Sequence, residues 1–331
     1  MKSMTKLSFL DLASVRENET SADSFQHSKR LVQQAEQLGY HRYWVAEHHN
    51  MQGVASSATS VLIGYLAGHT NSIRIGAGGI MLPNHAPYVI AEQFGTLDAM
   101  YPGRIDLGLG RAPGTDMMTA RALRRDHQGA DDFPELVSEL LHYLAPVDES
   151  RLPAVMAVPG AGADVPVWLL GSSTFSARLA AQLGLPFAFA SHFAPDQLMQ
   201  ALELYYRNFK PSSYLDQPYA MAAVNVVAAA TDEEAEQLST TLIQQFLSII
   251  RGHKHKMRPP IAMDQLDWTP SEQMMVERTV RARIVGSEET VREQLEAFKK
   301  QTGVQEIIIS TPIYDVEKRL ESMAITMNAT K

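Results

Sequence analysis

The sequence predicts a (β/α)8 TIM barrel on three observations. Short apolar runs alternate with amphipathic stretches of about ten to eighteen residues, the rhythm of βα units and a mainly parallel sheet. Eight such runs can be counted, each followed by a helical stretch. Glycine, serine, histidine and arginine gather just past the carboxyl ends of these runs, the face on which barrels of this kind carry their chemistry. A doubly wound open sheet is the competing arrangement. The lack of a Gly-x-Gly-x-x-Gly turn after the first run weighs against its dinucleotide-binding form.

The strand candidates, in order, are 7–12, 42–46, 73–78, 104–109, 167–170, 187–190, 220–228 and 306–309. Between the first two, a helix over 24–38 places Phe25, Leu31, Val32, Ala35 and Leu38 on one side, and Gly39 suits a left-handed stop. A helix over 175–183 ends at Gly184 in the same way. Thr231 with Glu234, and Thr269 with Glu272 and Pro270 at the first helical position, both fit capping boxes. Long connections at 112–165 and 250–270 follow strands 4 and 7, so both belong on the carboxyl rim as lids or binding loops. With no repeat and no linker, residues 1–331 read as one domain.

The chain has 331 residues, ordinary for one α/β barrel. Its 29 basic and 37 acidic residues give a net charge of −8, which argues against nucleic acid and against anionic membranes. There is no cysteine, hence no disulfide, thiolate metal site or cysteine nucleophile. No apolar run is long enough to span a bilayer, and the first six residues lack the pattern of a signal peptide. The expectation is a cytoplasmic protein.

At the fifth strand end, Gly171, Ser172, Ser173 and Ser176 open a helix. Unpaired amides, hydroxyls and the positive end of the helix dipole describe a phosphate cradle, to which Arg111, after strand 4, adds a bidentate cation. A plain serine N-cap beside a surface arginine is the alternative. Strand 2 ends in Glu47-His48-His49-Asn50. Neighbouring strand residues point to opposite faces, so the two histidines do not chelate one metal together, and no other cluster has metal-ligand spacing. One imidazole faces a pocket as proton donor, base or orienter, or else is simply packed, and Glu47 is as readily a tie to backbone amides. Gly76, Gly78 and Gly79 interrupt a β-branched strand, which suits either a flat ring lying on bare backbone or crowding inside the barrel. The run from His253 to Lys256 is either an anion clamp or a solvated loop.

Five stretches in register carry a family resemblance: 43–50 (YWVAEHHN), 75–84 (IGAGGIMLPN), 101–111 (YPGRIDLGLGR), 167–173 (VWLLGSS) and 181–192 (AQLGLPFAFASH). The chain resembles the bacterial-luciferase-like flavin monooxygenases, in particular the single-chain bacterial subgroup, over nearly its whole length. The resemblance implies a barrel that uses reduced FMN as co-substrate, delivered by a separate flavin reductase, acting on a small-molecule substrate with O2 and assembling as a homodimer. It places the flavin phosphate at Arg111, Ser172, Ser173 and Ser176, a non-prolyl cis peptide against the flavin ring at Gly78 and Gly79, and the catalytic histidine at His48. The reactive cysteine of the luciferase α subunit is Gly110 here, so light emission is not implied. The alternatives are a deazaflavin (F420) oxidoreductase, a non-catalytic flavin-binding protein, and a barrel that handles a phosphorylated metabolite.

Overall fold

The computed structural model describes residues 6–123, 132–148 and 150–331. The opening residues read above for a targeting segment, and part of the 112–165 connection, lie outside these. Among the described residues nine strands form: β1 (Lys6–Asp11), β2 (Arg42–Val45), β3 (Arg74–Met81), β4 (Ile105–Gly110), β5 (Val167–Gly171), β6 (Phe187–Phe189), β7 (Ala220–Ala228), β8 (Ile284–Gly286) and β9 (Glu306–Ser310). All pair in parallel, and β1 to β7 with β9 close a ring in the order β6, β5, β4, β3, β2, β1, β9, β7 and back to β6. This is the predicted (β/α)8 barrel. The strand missed by the sequence reading is β8, three residues paired only with Val226–Ala228 at the far end of β7. It is too short for a period-2 pattern to show, and it lies outside the ring.

Side-chain alternation divides each strand between two cores. Outward residues such as Phe9, Tyr43, Ile75, Leu107, Leu169, Phe187, Val224 and Ile309 pack beneath the helices. Inward residues Leu10, Trp44, Trp168, Ala188, Met221, Ala223 and Ile308 fill the middle of the barrel. Below them, at the amino ends of the strands, the filling is polar. Arg42 donates to Glu306 through Nε (2.9 Å) and to Asp106 through Nη1 (2.8 Å), while Trp44 Nε1 (3.1 Å) and Arg74 Nη2 (2.7 Å) also reach Asp106. Tyr219 and Ser8 hydroxyls donate to Glu306. Room for this layer explains Gly76: a Cβ there would stand 2.6 Å from Cβ of Asp106. At that glycine the crowding alternative holds.

The helices are α1 (Ser21–Leu38), α2 (Thr59–Ala67), α3 (Pro87–Met100), α4 (Met117–Ala122), α5 (Phe133–Leu144), α6 (Thr174–Leu183), α7 (Leu198–Asn208), α8 (Asp232–Ile250), α9 (Pro270–Thr279), α10 (Glu288–Thr302) and α11 (Val316–Asn328). Helix α1 begins three residues before the expected start, because Thr20 and Asp23 close a capping box. Gly39 and Gly184 stop α1 and α6 with φ of 86° and 64°. Thr269 forms the full box expected of it, whereas Thr231 forms half: the Glu234 carboxylate turns to Lys318 (2.7 Å) instead.

The 250–270 connection needs a correction of place. It follows α8, not β7 directly, and with α8 and α9 it makes a helix–loop–helix insertion with its own core of Leu242, Ile243, Leu247, Leu266, Val276 and Val280. The insertion still reaches the carboxyl rim. There the Met257 amide donates to the Val15 carbonyl (2.9 Å) and the Glu17 amide to the Met257 carbonyl (2.8 Å).

Candidate active site

Above the inward apolar layer a cavity of about 620 Å³ opens at the carboxyl ends of the strands. Arg111, Gly171, Ser172, Ser173, Ser176, Gly78 and His48 all border it. On the side of α6, Ser173 is the N-cap residue, yet its side chain makes no capping bond, so the first-turn amides keep their donor capacity on that side. Gly171 lies tight against this turn: a Cβ on it would come within 2.8 Å of Cβ of Ser176. Arg111 leaves the end of β4 and lays its guanidinium over the Phe175 ring, 4.2 Å from the centroid. The planar cation is therefore held beside the helix start.

The Gly78–Gly79 peptide is cis, and the register of β3 against β4 shifts between Gly78 and Ile80. The two glycines do different things. Gly78 borders the cavity, next to Leu10 and Trp44. Gly79 does not: a Cβ on it would stand 2.5 Å from the Gly108 carbonyl oxygen, so it serves the close approach of β3 to β4.

His48 follows β2, its amide bonded to the Ser56 carbonyl (3.1 Å). Its Nδ1 is buried with no hydrogen-bond partner. Burial lowers its pKa, against an opposing pull from the Glu47 charge. Glu47 itself, 1% exposed, is a tie rather than a cavity group. Its carboxylate accepts from His49 Nε2 (2.8 Å), His85 Nε2 (2.9 Å), the Met81 amide (3.0 Å) and Asn84 Nδ2 (3.3 Å), binding the end of β2 to the end of β3. Burial pushes its pKa up, and these bonds outweigh burial and bring it down to about 2.

Ser191-His192, which close the 181–192 stretch, carry no role in the sequence analysis. His192 borders the cavity too, with Nδ1 buried and unpartnered. Burial, and then the nearby His48, push its pKa down to about 4. Also missed was the apolar roof of Leu242, Phe246, Ile249 and Ile250, supplied by α8. No single-residue signal could have placed it, since α8 reaches the rim only through the fold of the insertion. The basic run over 253–256 stays out of the cavity: Lys254 pairs with Asp116, and Lys256 Nζ donates to the Glu19 carbonyl (2.6 Å). Among the described residues bordering the cavity none is Asp, Glu or Lys.

Comparison with known proteins places this arrangement. The profile of the family described as luciferase-like monooxygenase matches residues 5–306. The chain is 53% identical to the protein YvbT of Bacillus subtilis (strain 168), over 99% of this chain and 97% of that one. It is equally, 53%, identical to the luciferase-like monooxygenase of Escherichia coli (strain K12), over 97% and 96% of the two chains. Among solved structures, apo-MsnO8 superposes with a TM-score of 0.90 at 36% identity, covering 98% of each chain. With a profile match across most of its length and relatives this similar end to end, the chain belongs to the luciferase-like monooxygenase family.

Proposed function

We propose that the chain is a monooxygenase that takes reduced FMN as co-substrate from a separate flavin reductase and oxidises a small organic molecule with O2. The observation that carries this reading is the meeting of Arg111, the serines at the start of α6 and the bare backbone of Gly78 around one cavity. The residues fit the group. A phosphate monoester needs donors and positive charge, and Ser172, Ser173, Ser176, the first-turn amides and Arg111 would hold it. A flat ring needs an apolar bed without a protruding Cβ, and Gly78 beside Leu10, Trp44 and Ile308 would provide one. Bound there, reduced FMN supplies the electrons that activate dioxygen.

The chain's own residues do the rest. The α8 roof keeps water from the reacting atoms, where stray water would divert the chemistry. His48 presents an imidazole to the cavity, able to hold or move a proton at its ring nitrogens. The insertion shields the mouth.

The test compares FMN with riboflavin, in wild type and Arg111→Ala. FMN should lose about 1.5–3 kcal/mol of binding, the worth of a charge-assisted contact, while riboflavin changes little. Equal losses for both ligands overturn the phosphate assignment. A substrate screen with a generic flavin reductase should then show substrate-dependent O2 uptake. Tight binding without any such uptake would leave a flavin-binding protein, and turnover with F420 alone would move the chain to the deazaflavin class. The same reading takes the chain as a homodimer, which sedimentation of the purified protein checks.

A further inference from the structure

Two imidazoles border the cavity, His48 past the end of β2 and His192 past the end of β6. The other strand-end histidines are tied: His49 and His85 to Glu47 through Nε2. A histidine tautomer is ordinarily set by a bond at the nitrogen that faces away from the ligand. For His48 and His192 no such bond is made at Nδ1, which in each is buried with no partner. Their positions are nonetheless held. The His192 carbonyl accepts from Asn225 Nδ2 (2.6 Å) and its ring meets the Phe193 ring edge-on at 4.7 Å. The His48 amide is bonded to Ser56 (3.1 Å). Both backbones are thus held, and Phe193 packs on the His192 ring, while no bond at Nδ1 sets either tautomer, so each ring can accept or donate according to what it meets.

We propose that His192 is a second catalytic residue, which with His48 forms a pair that carries one proton to the reacting oxygen. The chemistry rests on the oxygenase reading above. Monooxygenation of a substrate S balances as S, O2, two electrons and two protons giving SO and water, with the electrons from reduced FMN. A proton must therefore reach the oxygen that departs as water. One neutral ring takes up a proton released during turnover and, as imidazolium, delivers it to that oxygen. The other stays neutral and hydrogen-bonds the same molecule. Burial disfavours a charge on either ring, and a charge on His48 further opposes one on His192, so the pair holds at most one proton at a time. Glu47 favours a proton on His48 and His49 opposes it; the other charged groups bordering the cavity are Arg111 and Arg319.

The experiment joins an imidazole NMR titration of the FMN-free protein to steady-state assays of His48→Gln and His192→Gln. In His48→Gln the His192 midpoint, about 4 in the wild type, should move up. His192→Gln should lower kcat on the order of tenfold or more with FMN affinity unchanged, and the double variant should lose less than the product of the two single losses. An unmoved His192 midpoint, or wild-type kcat in His192→Gln, overturns the pair. Should His192→Gln melt early, His192→Asn is assayed in its place, with the same loss of kcat expected. Because the titration uses no flavin, coupled rings in a chain that fails to bind FMN would sink the flavin reading and keep the coupling. Uncoupled rings in an active FMN enzyme would sink the pair and keep that reading.

Discussion

Glu47 joins two strand ends by itself, since four donors, His49 after β2 and Met81, Asn84 and His85 at the end of β3, converge on it. Glu47→Gln should destabilise the protein by about 1–3 kcal/mol, because donors built around two charged oxygens are left partly unsatisfied. The effect has a pH signature. The folded carboxyl titrates near 2, below its ordinary 4.5, so its contribution is fully present above about pH 4.5 and is lost as the pH falls towards 2. Urea melts of wild type and variant should differ by a constant above pH 5 and converge below it. His192 acts in a higher window: its folded pKa of about 4 lies below the ordinary 6.5, so stability falls as the pH drops from 6.5 through 4, and His192→Gln should flatten that fall. At this scale the sequence was read unevenly. Arg111 and the serines stood out because a helix start and a strand end mark them. Glu47 was open between tie and cavity group because its partners, His85 and Asn84, lie more than thirty residues away.

Among the elements, the polar layer under the barrel makes the sharpest demand. Arg42→Met would leave buried Glu306 with hydroxyl donors but no cation, and buried Asp106 with Arg74 as its remaining cation, and should cost roughly 3–5 kcal/mol in chemical denaturation. Replacing one member is expected to be worse than replacing the set, because the penalty comes from the charges left behind. The strands of the ring were legible since each is an apolar run bounded by glycine, proline or charge. The three residues of β8 were not, because only the overlong β7 gives them an edge to pair with. Helix starts were legible where a capping pair is unshared. Thr231 misled because Glu234 has a competing partner, Lys318, eighty-four residues away.

For the whole molecule, the insertion is the one large piece held to the barrel by contacts at its edges. Lys254 pairs with Asp116 after β4, Arg258 with Glu17 after β1 (3.1 Å), and Arg278 with Asp196 after β6 (2.9 Å). Exposed pairs of this kind contribute at most about 1 kcal/mol each and weaken with salt. Lys254→Gln should therefore raise the rate of limited proteolysis between residues 251 and 269 by roughly two- to fivefold, and added salt should do the same to the wild type. A wild-type rate indifferent to salt would show that apolar contacts and the Met257 backbone bonds hold the insertion without help from the ion pairs. The insertion is also where prediction from sequence reached its limit: the 250–270 segment was recognised as a rim element, but its separation from β7 by a nineteen-residue helix was not.

The layer of Arg42, Asp106 and Glu306, with Trp44 and Trp168 above it, seals the lower end of the barrel. Among the described residues this layer forms the floor, and the chamber opens toward the carboxyl rim. When two guests share such a well, the deeper one must arrive first and depart last, so order of arrival is written into depth before any affinity is counted.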